Sequence, residues 1–141
     1  MNETILVVDD NIDNLDLTQI LLEEQQFDVH TAESAETALK MSETLRPRLI
    51  LVDIQLPRMD GLELTRRLRQ NPSLKDVIIV ALSAYAMKGD EDHAREAGCD
   101  GYITKPINTR TFASIIRGYL EDLRATPEVS GSQTLDDIPA R

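Results

Sequence analysis

Four side chains carry most of the chemistry that this sequence offers. Asp9 and Asp10 follow the aliphatic run TILVV, Asp53 follows LILV, and Lys105 stands immediately before Pro106. Carboxylates gathered beyond the ends of a hydrophobic sheet repel one another unless a cation joins them. A hard divalent ion such as Mg²⁺ prefers oxygen ligands and keeps several waters, so an acidic cluster can hold it and still leave room for a phosphoryl group. The residue types therefore point to a phosphorylatable aspartate.

These groups meet only if the chain between them brings strand ends together. Aliphatic, β-branched runs recur at Thr4 to Val8, Leu49 to Val52 and Val77 to Leu82, too continuous for half-solvated strands and suited to a sheet buried on both faces. Two weaker strands fit at Asp28 to Thr31 and Gly101 to Thr104, with helical patterning between all five. Such alternation predicts an α/β fold, a doubly wound five-stranded parallel sheet with right-handed crossovers. In the flavodoxin-like (βα)5 order 2-1-3-4-5, ligands bind where strands 1 and 3 diverge. There Asp9, Asp10 and Asp53 would meet, since adjacent strands lie about 4.8 Å apart. Ser83, ending strand four, and Lys105, after strand five, would lean toward the same crevice.

The helices are read from their apolar spacing. The first, Asn14 to Gln26, is expected to turn Leu17, Thr18, Leu21 and Leu22 to the core and Ile12 and Leu15 outward. The second runs from Ser34 to Leu45 and the third from Asp60 or Gly61 to just before Asn71-Pro72. The fourth, Lys88 to Ala97, has almost no large apolar residues and is expected to be the most weakly anchored, with Gly98 as its left-handed cap. The last carries a broad stripe of Phe112, Ile115, Ile116, Tyr119, Leu120 and Leu123. Beyond it the pattern dissolves, so the reading is a domain over 1–124 and a disordered tail over 125–141.

Composition narrows the function. A chain of 141 residues, 41% hydrophobic, fits one domain and leaves no room for a second catalytic or DNA-binding one. A formal net charge of −10 argues against nucleic acid or anionic membrane as partners and favours proteins. The lone Cys99 cannot form an internal disulfide, no apolar run is long enough for membrane insertion, and MNETILVVDD is no signal peptide, so the expected location is cytoplasmic.

Through VVDDN, LVDIQLPRMDGLEL, ALSAYAMKGD and YITKPI, in that order, the chain resembles the receiver domains of two-component response regulators from Thr4 to Leu123. It is most similar to single-domain cell-cycle regulators and to receivers fused to hybrid histidine kinases. The resemblance implies that Asp53 accepts a phosphoryl group from a histidine kinase or a histidine phosphotransfer protein. It makes Asp10 and Asp53 direct Mg²⁺ ligands, with the Gln55 backbone carbonyl as another and Asp9 acting through metal-bound water. Lys105 and Ser83 would contact phosphoryl oxygens, Ala84 would leave access, and Lys105-Pro106 would be a cis peptide. Tyr102 matches a rotating aromatic switch, and Gln55 and Tyr85 flank the route of attacking water. The first helix would meet the kinase's helical bundle through Ile12 and Leu15, with Pro106 beside them, and a downstream protein would read the phosphorylated state. Within the same class, the alternative is a relay shuttle with no conformational output.

Taken singly, these residues have plainer explanations. Asp9 and Asp10 fit a solvated turn capping a helix, Asp53 a loop cap, Lys105 a surface lysine, Ser83 a turn hydroxyl and Tyr102 a half-buried strand aromatic. Gly61 and Gly89 fit backbone turns, Cys99 fits a packed small residue, and neither His30 nor His93 has companions for a metal site. Other classes fare worse together. Mg²⁺-dependent phosphatases of the haloacid dehalogenase type place a second Asp two residues after the acceptor, where this chain has Gln55, which cannot act as general acid or base. A flavodoxin-like cofactor site would not line its phosphate loop with Asp9 and Asp10. A pseudo-receiver that binds without phosphorylation has no need of Asp10, Asp53, Ser83 and Lys105 together.

Overall fold

The computed structural model describes residues 3–56, 58–84 and 89–125. Along the chain come β1 (Thr4–Val8), α1 (Ile12–Glu23), β2 (Asp28–Ala32), α2 (Ala35–Leu45), β3 (Leu49–Asp53), α3 (Gly61–Gln70), β4 (Ile78–Ser83), α4 (Asp90–Ala97), β5 (Gly101–Thr104) and α5 (Phe112–Ala125), with one 3-10 turn at Pro72–Leu74. All pairings are parallel, in the order β2-β1-β3-β4-β5. This is the doubly wound, flavodoxin-like sheet expected from the alternation of runs. The tail lies outside the described residues except for Ala125, which closes α5.

The interior strands are apolar along their length because both faces are covered. Alternate residues point to opposite sides of a strand, so each interior strand feeds two cores. Leu6, Val8, Ile50, Val52, Ile79 and Ala81 pack with Ala38 of α2, Leu64 and Leu68 of α3 and Ala94 of α4. Ile5, Val7, Leu49, Leu51, Val80 and Leu82 pack with Leu15 and Leu22 of α1 and Phe112, Ile116 and Tyr119 of α5.

Helix starts follow capping side chains. Asn11, Ser34 and Asp60 accept from the N–H groups of Asn14, Thr37 and Glu63, satisfying donors that the first turn leaves unpaired. The Asn11 cap starts α1 at Ile12 rather than Asn14, and Gln26, at φ 73°, lies beyond its end. Gly98 caps α4 in the left-handed region at φ 116°, as expected, and Gly89 precedes it at φ 96°. Gly61 serves a different purpose from the expected turn. A Cβ there would lie 2.8 Å from Ile54 Cα and 2.9 Å from Val52 Cγ1, so glycine lets α3 start against the end of β3.

The inward face of α1 matches the reading at Thr18, Leu21 and Leu22 and corrects it at Leu15 and Leu17. Leu15 is buried at 4% exposure, with Thr18 and Leu22, while Leu17 is exposed and Ile12 is 53% exposed. Positions 15, 18 and 22 share one side of a 3.6-residue helix, whereas Leu17 lies about 200° around from Leu15. Thr18 is accommodated because its hydroxyl donates to the carbonyls of Asn14 and Leu15. Leu15 therefore belongs to the core, not to an exposed docking surface.

Candidate phosphoacceptor site

β1 and β3 are neighbours, and β2 and β4 lie on their other sides, so the sheet diverges beyond the C-terminal ends of β1 and β3. Asp9 and Asp10 follow β1 and Asp53 ends β3. One carboxylate oxygen from each of the three lies within 4.8 Å of the others. Asp9 and Asp53 are buried, at 1% and 3% exposure. Asp10 is exposed at the mouth.

The two buried carboxylates divide their oxygens in the same way. Asp9 Oδ1 accepts from the Asn11 N–H at 2.9 Å, and Asp53 Oδ1 accepts from the Gln55 N–H at 2.9 Å. Each is an aspartate bonded to the backbone two residues on, a local turn that fixes the side chain. The Oδ2 atoms then face Lys105, whose Nζ donates to Asp53 at 2.9 Å and to Asp9 at 3.4 Å. The lysine backbone is anchored too, because its N–H donates to the Ser83 carbonyl at 2.7 Å. The Lys105-Pro106 peptide is cis, as the resemblance implied.

Burial pushes the Asp9 carboxyl above its ordinary range; the Asn11 N–H pulls down, the Asp53 charge adds to the rise, and Lys105 opposes it. Burial works to lower the Lys105 ammonium, but its hydrogen bonds and charge interactions with Asp53 and Asp9 together leave it raised. The pocket therefore keeps a charged lysine against acids that outnumber it. An all-oxygen donor set with an unbalanced negative charge suits a hard divalent cation.

Ser83 is fully buried at the end of β4. Ala81 and Ser83, two residues apart, share a face of β4, and Tyr102 of β5 is the register partner of Ala81 and packs on the same core as it. Ser83 and Tyr102 thus lie on the side of the sheet that carries α4. The Tyr102 N–H donates to the Tyr119 hydroxyl at 3.3 Å. Ile12 and Pro106 are exposed near the site, and Tyr85 lies outside the described residues. Cys99 is buried, and burial pushes its thiol up to about 11, which fits a packing role.

One participant and one contact escaped the sequence reading. The Asn11 backbone N–H orients Asp9, a local turn that an aspartate just after a strand could have suggested. The Gln55 side chain also bonds within the site, its Oε1 accepting the Ala84 N–H at 3.2 Å. Nothing in the spacing announces that contact, which crosses from one strand end to the next.

A cleft of acids and one lysine at the switch point of a (βα)5 sheet is the arrangement of a signalling receiver. The chain belongs to the response regulator receiver domain family, whose model matches residues 5–117. It is 38% identical over 122 residues to the polar-differentiation response regulator DivK of Brucella ovis, covering 86% of this chain and 99% of that one. Among solved structures, a CheY-like response regulator receiver domain protein from Methanospirillum hungatei superposes with a TM-score of 0.81 at 31% identity, over 88% of this chain and 98% of that one. The signal receiver domain of a histidine kinase from Syntrophus aciditrophicus gives a TM-score of 0.79 at 27% identity, over 91% and 97%. Among the described residues no helix is long and apolar enough to cross a membrane.

Proposed function

We propose that Asp53 takes a phosphoryl group from the phosphohistidine of a histidine kinase or phosphotransfer protein in the cytoplasm, and that the modified chain changes its binding to a downstream protein. The observation that carries this is the ammonium of Lys105 placed 2.9 Å from Asp53 Oδ2 inside a buried acidic cleft. A carboxylate oxygen of Asp53 attacks phosphorus, the new O–P bond forms, and the P–N bond breaks with its electron pair passing to the imidazole. Negative charge spreads over the transferred oxygens, and Lys105 and the Ser83 hydroxyl offset it. Asp10, Asp53 and the Gln55 carbonyl would hold Mg²⁺ directly and Asp9 through water; the bound ion would neutralise charge on the phosphoryl oxygens. Water later cleaves the acyl phosphate, so the chain acts as a regulator that carries out its own transfer chemistry rather than as an enzyme turning over a substrate.

The docking surface in this reading is the exposed start of α1, with Ile12, and Pro106 beside the cleft. Ser83 and Tyr102 are the switch. The test is mass spectrometry after incubation with acetyl phosphate and Mg²⁺. Wild type is expected to gain one phosphoryl group, and Asp53→Ala to gain none. Stoichiometric labelling of Asp53→Ala would rule out Asp53 as the acceptor.

A further inference from the structure

The Gln55 side chain occupies a position that the transfer chemistry does not explain. The backbone N–H of Gln55 donates to Asp53 Oδ1 at 2.9 Å, and its side-chain Oε1 accepts the Ala84 N–H at 3.2 Å. One residue thus touches both the acceptor carboxylate and the backbone that follows Ser83. The strands hold these groups in register, since Asp53 pairs with Leu82 and the Ile54 N–H donates to the Leu82 carbonyl at 2.9 Å. The Ala84 N–H therefore faces the β3 side at the ends of β3 and β4, toward the residue two beyond Asp53. A phosphoryl group on Asp53 would bring charged acceptor oxygens to that side. A charged acceptor binds an N–H about twice as strongly as a neutral amide does. Gln55 is exposed, so its side chain has solvent to move into when displaced.

From this geometry we propose that the Gln55 carboxamide is a placeholder for the phosphoryl group. In the free protein Oε1 holds the Ala84 N–H; on phosphorylation a phosphoryl oxygen takes over that donor and the side chain leaves. Gln55 is then a positioning residue that fixes the end of β4 before transfer and weights the balance toward the unphosphorylated state. The inference rests on Asp53 being the acceptor.

The test is hydrogen exchange at the Ala84 amide in wild type, Gln55→Met and Gln55→Glu, free and after phosphorylation by acetyl phosphate with Mg²⁺. Met has a similar reach but no oxygen, Glu restores an acceptor, and all three keep the backbone carbonyl. In the free state, exchange at Ala84 is expected to be on the order of five-fold faster in Gln55→Met, the loss of one ordinary hydrogen bond, and close to wild type in Gln55→Glu. After phosphorylation wild type and Gln55→Met should be equally protected, and Gln55→Met should label faster than wild type. Equal free-state exchange in wild type and Gln55→Met, with normal labelling, overturns the placeholder alone. So does loss of Ala84 protection in phosphorylated Gln55→Met, because Gln55 would then still be holding the amide. If wild type takes no label on Asp53, the acceptor reading falls and the placeholder with it.

Discussion

Asp9 bears a large part of the electrostatic cost of the cleft. A carboxyl raised mainly by burial binds protons more readily in the fold than in the unfolded chain, so it withdraws stability at neutral pH. That stability returns as pH falls through the folded value toward the ordinary 3.8. Lys105 is also raised, by its acidic partners against burial; its contribution is complete below 10.5 and is lost as pH rises through its folded value. Asp9→Asn keeps an oxygen for the Asn11 N–H and removes the buried charge. It is expected to stabilise the Mg²⁺-free protein at neutral pH by on the order of 1 kcal/mol, to flatten the acid side of the stability profile and to weaken Mg²⁺ binding. Urea unfolding across pH, with chelator and with Mg²⁺, measures all three effects. A less stable Asp9→Asn protein at neutral pH would mean that the ion pair with Lys105 outweighs burial. Asp9, Asp10, Asp53 and Lys105 were legible in the sequence because strand ends of a doubly wound sheet can be located from the runs alone. The Gln55 bond was not, because it depends on where two loops fall in space.

At the level of elements, α1 separates packing from exposure within one turn. Leu15 is buried among the residues that join α1 and α5 to the sheet, while Ile12 is exposed beside the cleft. Leu15→Ala is expected to cost about 2–4 kcal/mol through the cavity it leaves, and Ile12→Asp less than about 0.5 kcal/mol. With stability intact, Ile12→Asp should slow phosphoryl transfer from a phosphohistidine protein and spare labelling by acetyl phosphate. Equal slowing of the two reactions would place Ile12 in the chemistry instead of in docking. The extent of α1 was read nearly correctly from the sequence, and its inward face was misread at only two positions, Leu15 and Leu17. Thr18, Leu21 and Leu22 face the core as read, Thr18 by donating back to its own helix, but Leu17 was placed inward and Leu15 outward, the reverse of what the packing shows. The β3 and β4 runs left less room for such an error, since strands buried on both faces have no side to mistake.

Over the whole molecule, the two ends of β4 and β5 are built for different purposes. Before β4 and β5, the Arg69 guanidinium donates to the carbonyls of Gly98 and Val77 and to Asp100, whose carboxylate also accepts the Ile79 N–H. That network fixes the end of α4 to α3 and to the start of β4. At the opposite end, among the described residues, α4 begins after Gly89 with no side-chain cap, eight residues long and with Ala94 packed in the core. An element clamped at one end and lightly held at the other can respond to a local charge by pivoting at small cost. Phosphorylation of Asp53 is therefore expected to draw Ser83 toward the phosphoryl group, open space on the α4 side for the Tyr102 ring, and raise exchange at the amides opening α4 while those around Arg69 stay protected. Hydrogen exchange or amide chemical shifts, free and phosphorylated, report both ends at once. Changes confined to the residues around Asp9, Asp10, Asp53 and Lys105, with residues 89–102 silent, would instead make the chain a relay shuttle that carries phosphoryl groups without a conformational output.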